Sequence, residues 1–370
     1  MSKYFSDFKV QNRNPTIAEN DIFQFRMKNV ILSSVIGNCI RRVAGLDIPT
    51  YSVSPESFIF TKNTSPWDKD RVIHQLSYLP LNQEPFKKLD LNMIELHIDV
   101  KNDTKLFRDV LSSEITFYDK EKKKYIDSSN FLIYNDFLVI EDLGPMQELK
   151  LKCQFEYKTK RNSSAIHQAG TIGLDYENKK SYPKDILFNV TLQVGISPKK
   201  IILESFEILT NRLNNMEKAI KNKDSTLFYI ELNRNNRYDF VFIGEDHTTG
   251  SLIEKWNNHH DSNSLTGYRL TTDKNSIKID YGLNKFLKSL SIENNIIDNK
   301  INTLLEKNLI IDDNKNEKEE TIKSFLISVD RIRKYLTELK NDFDKVKVNY
   351  ISVKAYMEDI EKQRIERLSR

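Results

Sequence analysis

The stretch SVIGNCIRRV (residues 34–43) and the stretch HTTGSLIEKW (residues 247–256) carry the same helical pattern at widely separated points of one chain. Laid over each other, they set Gly37 on Gly250, Cys39 on Leu252, Ile40 on Ile253 and Val43 on Trp256. In the first, Leu32, Val35, Ile36, Cys39, Ile40 and Val43 recur at intervals of three and four, which gathers apolar side chains on one broad helical face. Ser33 or Ser34 is the expected cap of that helix, and Asn38, Arg41 and Arg42 gather opposite the apolar face. In the second, Asp246 is the expected cap, with Leu252, Ile253 and Trp256 as the stripe. Each helix lies beside strand-like sequence, so the pattern predicts two related units in one polypeptide.

Outward from these helices the sequence alternates. Ile94, Leu96, Ile98 and Val100 share one face of a strand, as do Leu149, Leu151, Cys153, Phe155 and Tyr157. Phe188, Val190, Leu192, Val194 and Ile196 form a third such set. Phe228/Ile230/Leu232 and Tyr238/Phe240/Phe242 flank NRNNR and read as a hairpin. A second helical correspondence follows. Phe206, Leu209, Leu213, Met216 and Ile220 step by three and four, and so do Phe325, Val329, Ile332, Leu336, Leu339 and Phe343. Such steps belong to helices packed along a narrow seam.

The second run continues through Val346, Tyr350, Val353, Met357 and Ile360, which predicts one helix over about 318–367, pairing or projecting at its far end. Ile297, Ile301, Leu304 and Leu305 mark a further helix ahead of the polar connector LIIDDNKNEKEE (residues 309–320). The last Pro is Pro198 and the last Gly is Gly282, so the final quarter holds neither helix-breaker.

With 370 residues the chain is long enough for two or three domains. Its 57 basic and 53 acidic residues give a net charge of +4, too little to argue for a dedicated nucleic-acid or lipid surface. Charged residues make up 30% and apolar residues 39%, the balance of a soluble globular protein with much solvated surface. Cys39 and Cys153 are the only cysteines, which excludes a four-thiolate zinc site and points to a reducing compartment. No segment approaches the ~20 consecutive apolar residues of a spanning helix, and the first residues lack the apolar core of a secretion signal. Neither secretion nor membrane insertion is expected.

The block GNCIRRVAGLDIPTYSV (residues 37–53) resembles the signature N-S-L-R-R-V-x-x-x-E-I-P-T-x-A-I of the larger α-type assembly subunit of cellular RNA polymerases. Asn38, Arg41, Arg42, Val43, Ile48, Pro49 and Thr50 match without a gap, and Asp47 stands where Glu is usual. IHQLSYLPL (residues 73–81) is similar to A-H-R-L-G-L-I-P-L, keeping His74, Leu76, Pro80 and Leu81 but departing at Gln75 and Ser77. FNVTLQVGISPKKIILESFEIL (residues 188–209) looks like the strand–turn–helix that completes that subunit's dimerisation domain. The rear of the chain resembles the smaller partner subunit: EDHTTGS (residues 245–251) stands against E-D-H-T-L-G-N. GYRL (residues 267–270) looks like its G-Y-x-x-P-H segment without the Pro-His, and ETIKSFLISVDRIRKYLTEL (residues 320–339) like its terminal helix. The resemblance covers most of residues 21–344.

The resemblance implies an α+β fold in which two related dimerisation halves, each a sheet with paired helices, form an intramolecular pseudo-dimer. The larger-subunit-like half takes 1–50 and 184–225, with a β-rich insert domain at 51–183. The smaller-subunit-like half takes 226–281 and 318–345, with a helical insertion at 282–317 and a long C-terminal helix extending through 346–370. The seam is assigned to Val35, Cys39, Ile40, Leu209, Leu213, Leu252, Trp256, Ile332, Leu336 and Leu339. Docking of the second-largest polymerase subunit falls to Asn38, Arg41, Arg42 and His74, because a guanidinium holds carboxylates and carbonyls in fixed geometry. The implied partners are the two largest subunits and other small subunits, with no sequence-specific nucleic-acid contact and no membrane. Fusions of this kind occur in large cytoplasmic DNA viruses, and the Asn-, Lys- and Ile-rich composition suits a mimivirus-like genome, so the expected location is the virion and host cytoplasm.

Chemistry of its own is not expected. GEDHTTGS lacks the spacing and the Lys of a phosphate loop. His247, His259 and His260 have neither a nearby Cys nor a partner His one helical turn away, so they read as solvated or capping residues rather than metal ligands. Cys153 is the only thiol of the insert, so the zinc that the larger subunit's insert often carries is not expected, and no cofactor is implied. No Ser/His/Asp or Cys/His nucleophile stands in a supporting context. Two rival readings remain: a standalone coiled-coil adaptor with a β-rich head, built on the 325–360 heptads, and a nucleic-acid-binding module, which needs a basic, aromatic surface.

Overall fold

The computed structural model describes residues 2–12, 21–133, 136–162, 170–176, 185–192, 196–232, 238–260, 264–271, 276–283 and 313–346. It is a mixed α+β structure with antiparallel sheets.

Strands β1 (Phe5–Asn12) and β2 (Asp21–Lys28) lead into helix α1 (Ser33–Leu46). After a long excursion, β11 (Gly170–Tyr176) and β12 (Asp185–Leu192) complete a sheet in the order β1-β2-β12-β11, and α4 (Pro198–Asn222) follows. The chain then repeats the sequence of elements: β13 (Phe228–Leu232), β14 (Tyr238–Ile243), α5 (His247–His260), β15 (Ser264–Leu270), β16 (Ser276–Leu283) and α6 (Asp313–Asp344). Its sheet order is β13-β14-β16-β15. Both sheets therefore run first, second, fourth, third, with every pairing antiparallel.

Alternation explains why both sheets turn one face inward. Phe23, Phe25 and Met27 of β2, Phe188 and Val190 of β12, Phe240 and Phe242 of β14, and Ile277 and Ile279 of β16 are all buried in one continuous core. The apolar faces of α1, α4, α5 and α6 fill the same core, so Leu213 and Leu336 belong to one hydrophobic cluster. Helices α4 and α6 pack along each other. Helix α6 starts on its own sheet, where Phe325 stacks on Phe240 at 4.4 Å. It ends on the other, where Phe343 lies 4.9 Å from Phe5 and 5.2 Å from Phe25. Asp342 fixes that end. Its carboxylate accepts from the Ser2 hydroxyl at 2.6 Å and from the amides of Lys3 at 3.0 Å and Tyr4 at 2.8 Å.

The excursion between α1 and β11 has its own core. Strands β3 (Thr50–Val53), β4 (Ile59–Asn63), β5 (Ile94–Lys101), β7 (Thr116–Asp119), β8 (Lys124–Ile126) and β10 (Glu148–Lys158) form one sheet. A separate ribbon pairs β6 (Arg108–Leu111) with β9 (Leu138–Leu143), and α2 (Lys69–Ser77) and α3 (Gln83–Phe86) complete the unit. Phe86, Phe117 and Phe155 form the centre of this second cluster.

Three expectations need correction. The range 51–183 assigned to the insert includes β11, which hydrogen-bonds to β12 in the first sheet. Neither Ser33 nor Ser34 caps α1. The residue before the helix is Leu32, in the left-handed region at φ 54°, and its carbonyl takes the Val35 and Ile36 amides while Ser33 becomes a buried first-turn residue. The heptad helix does not run unbroken past its seam: it ends at Asp344, the Val346 amide turns back to the Phe343 carbonyl at 3.0 Å, and Val346 enters the core. Burial of Val346 in the core favours this turn over continuing the helix. Tyr350, Val353, Met357 and Ile360 lie outside the described residues, as do Ile297, Ile301, Leu304, Leu305 and Val194.

Candidate functional site

Helix α1 lies on the first sheet through Gly37, where an added Cβ would sit 3.4 Å from the Phe188 ring. Helix α5 lies on the second sheet through Gly250, where an added Cβ would come within 2.5 Å of the Tyr268 ring. The two glycines aligned in the sequence thus occupy the same position, each the point at which a helix presses onto its own sheet. With both helices so placed, α1 also packs on α5. The Cys39 thiol reaches the Thr248 carbonyl at 3.5 Å, and burial pushes that thiol up to about 12.

One turn further along α1, the two motifs touch. Arg42 Nε donates to the Thr248 hydroxyl at 2.9 Å, and its Nη2 lies 3.6 Å from Asp246 Oδ2. Asp246 serves as the expected cap of α5, accepting from the Thr248 amide at 2.9 Å. Around it gathers an ionic cluster. Arg161, in the turn leaving β10, donates from Nε to Asp47 Oδ1 at 2.6 Å and places Nη2 2.8 Å from Asp246 Oδ2. Arg212 of α4 donates to Asp246 Oδ1 at 3.3 Å and stands 2.9 Å from Asp47 Oδ2. The Arg161–Asp246 Oδ2 and Arg212–Asp47 Oδ2 contacts are ion pairs that add to the hydrogen bonds on the other carboxylate oxygens.

The electrostatics follow from this packing. Burial would raise the Asp246 carboxyl, but Arg161 and Arg212 overcome it and hold the group at about 2. Glu245 goes the other way. Burial raises it against the Thr249 hydroxyl, which donates to it at 2.6 Å, and against Arg212. Burial also opposes the charge on Arg161, yet the Asp47 hydrogen bond raises that guanidinium still higher. The cluster locks α1, α4, α5 and the exit of the insert into one block, each charge answered by another.

The predicted docking residues separate in space. Arg41 is exposed, and its Nε and Nη2 hold Asn38 Oδ1 at 3.0 and 2.9 Å, which orients the guanidinium outward along the helix surface. Arg42 turns inward. It is a junction residue, because the α5 start offers it a hydroxyl and a carboxylate. His74 is exposed on α2, its ring 4.8 Å from Tyr78, and no hydrogen bond, ion pair or ring contact joins it to Asn38 or Arg41 among the described residues. The seam residues Cys39, Ile40, Leu209, Leu213, Leu252, Trp256, Ile332, Leu336 and Leu339 are all buried in the common core, and Val35 packs against it partly buried. Trp256 meets Tyr335 at 5.3 Å, tying α5 to α6.

Sequence reading did not single out Arg161 or Arg212, because one sits in a turn and the other on the polar side of a heptad helix. Asp47 had a signal, since it stands at an acidic position of the first motif. Among the described residues no group of three or more His, Cys, Asp or Glu is arranged to hold a metal ion, and no helix is long and apolar enough to cross a membrane. No protein-family model matches the chain, and no curated protein matches it either.

Proposed function

We propose that this chain is a non-catalytic assembly platform of a multisubunit DNA-directed RNA polymerase, two related halves joined as an intramolecular pseudo-dimer. The observation that carries the reading is the contact between its two motifs: the stretches resembling the larger and the smaller subunit start equivalent helices, and Arg42 of one holds Thr248 of the other. The repeated element order and sheet order support the same reading. The platform works by rigidity. Two sheets clasp four helices, and the ionic cluster fixes the insert's exit against both halves.

In this reading the exposed face of α1, with Asn38 and Arg41, docks the second-largest subunit, and the rear half receives the largest. His74, on the insert, is assigned to the same docking edge. The complex acts in the virion and host cytoplasm of a large DNA virus, with other small polymerase subunits as further partners, and the chain itself contacts neither sequence-specific DNA nor membrane. The coiled-coil adaptor reading is disfavoured, because the Phe325–Phe343 heptad face is spent inside the core rather than presented to a partner.

Co-expression with candidate catalytic subunits tests the proposal. The full chain is expected to bring down two very large polypeptides in equal amounts, and Arg41→Ala to release the second largest while the chain stays folded. Recovery of the chain alone from such a co-expression sinks the platform reading.

A further inference from the structure

The insert stands apart from the rest of the molecule. Its core, centred on Phe86, Phe117 and Phe155, shares no residue with the common core of the two sheets and four helices. Among the described residues no helix or strand of the insert packs extensively on a helix or strand of that body. The chain crosses from one to the other beside Pro49: Ile48 is buried in the body core and Val53 in the insert core. The returning strand crosses at the same place, because Lys158 at the end of β10 pairs with Thr50 at the start of β3. Two crossings side by side define one line about which the insert can turn, the arrangement of a hinge rather than of a packed interface.

The contacts that hold the insert against the body are mostly charged. Just past the crossing, Arg161 donates to Asp47 at 2.6 Å and pairs with Asp246 at 2.8 Å, and its amide donates to the Leu46 carbonyl at 3.2 Å. In the first turn of α4, Lys200 donates to Glu84 of α3 at 3.2 Å. Glu84 also pairs with Lys87 at 2.6 Å, and Lys200 lies 3.8 Å from Glu204. Arg212, which shares the two carboxylates of Arg161, stands ~18 Å from Lys200 along α4, so the insert is gripped at two separate points. The side chains of Arg161, Lys200 and Glu84 are 37%, 35% and 60% exposed, open enough for dissolved ions to compete.

We propose that the insert is a hinged domain that turns as one body about the Thr50–Lys158 crossing, and that Arg161 and Lys200 are the latches that hold it closed. Opening breaks a few partly exposed charge contacts and uncovers neither core, so its cost lies far below that of unfolding either part. The turn changes the spacing between His74 on the insert and Arg41 on the body, and so sets how far apart a partner finds these two exposed side chains. The hinge follows from packing and charge alone and stands apart from the polymerase reading.

The test uses the full chain, spin-labelled at Lys124→Cys on the insert and Asn215→Cys on α4, both exposed positions, with pulsed dipolar spectroscopy reading the distance between them. Cys39 and Cys153 are buried and do not take the label. In about 0.1 M salt one closed distance is expected to dominate, and about 1 M salt, where charges reach only ~3 Å, is expected to add a second. Arg161→Ala with Lys200→Ala is expected to raise the open share at least ~10-fold at the lower salt. Lys200→Glu alone is expected to open the insert, and adding Glu84→Lys to close it again. A second label pair within the insert, Lys124→Cys with Asp70→Cys, is expected to keep its distance throughout. An insert-to-body distance that ignores both salt and the latch variants overturns the proposal. So does an opening that Glu84→Lys fails to reverse, or a widening of the pair within the insert, which would show the insert loosening rather than turning.

Discussion

Arg42 Nε donates to the Thr248 hydroxyl at 2.9 Å, joining residues 206 apart in the chain. The neighbouring Arg41 makes no such crossing and spends its guanidinium on Asn38 of its own helix. Two adjacent arginines of one motif therefore have opposite tasks, one holding the fold and one facing outward.

This separation predicts a split in mutant behaviour. Arg42→Ala removes a charged hydrogen bond and an ion pair at a junction only partly open to solvent, so a loss of about 1–3 kcal/mol in unfolding free energy is expected. Arg41→Ala is expected to stay within about 0.5 kcal/mol of the parent, as exposed substitutions do. Urea unfolding of both variants decides it, and a larger loss for Arg41→Ala would place the structural role on the wrong residue.

The Asp246 carboxyl gives a pH signature. Its folded value of about 2 lies below the ordinary 3.8, so its contribution is complete above about pH 4 and disappears as pH falls toward 2. The size is roughly 1–2 kcal/mol once solvent screening of the half-open arginines is allowed for. Glu245 has the opposite sign: its raised value means that acidification relieves a cost there. Asp246→Asn is expected to flatten the acid limb of stability between about pH 4 and 2, seen by comparing thermal melts across that window. An unchanged acid limb would show that other carboxylates govern it.

The aligned glycines are expected to respond unequally. Gly250→Ala drives a methyl to 2.5 Å from the Tyr268 ring, an overpacking expected to cost about 1–3 kcal/mol. At Gly37 the nearest contact is 3.4 Å, with movable side-chain ends, and the ~1 kcal/mol gain in helix propensity offsets the crowding. Gly37→Ala should therefore be near neutral. Recovery of the Gly250→Ala loss by Tyr268→Leu, measured in the same unfolding assay, identifies the ring as the cause.

Leu213 and Leu336 share one core, so truncating either empties the same packed region. Leu213→Ala and Leu336→Ala are each expected to cost about 2–5 kcal/mol. A double-mutant cycle should show coupling of at least about 0.5 kcal/mol, since α4 and α6 pack together. Strict additivity would mean that the two helices do not share a relaxing seam.

Much of this architecture was legible from periodicity. The alternation in 94–100 and 149–157 marked β5 and β10, and the spacing of 206–220 and 325–343 marked the faces of the two long helices, because burial in a regular element leaves its period in the sequence. Asp246 was legible as a cap, since a carboxylate before a helix has few other uses there. Ser33 misled because the sequence does not reveal that Leu32 adopts a left-handed turn. Val346 misled because it keeps the heptad rhythm while turning back into the core. Arg161 and Arg212 were illegible: their partners lie far away in sequence, and nothing in a local pattern distinguishes a surface arginine from a clamp. The placement of β11 was missed for a related reason, since a strand's partner is a tertiary choice.

The staple of Ser2, Lys3 and Tyr4 onto Asp342 joins the two ends of the described chain. The aromatic face of β1 and β2 meets Phe188 and Phe206 and, from the far side of the chain, Phe343. The packing around Phe5 and Phe25 is therefore completed only when α6 folds back onto β1 and β2, a long-range closure. A chain cut just before α6 would leave the Phe343 side of that aromatic face open to water, and is expected to aggregate rather than to fold as a smaller working protein.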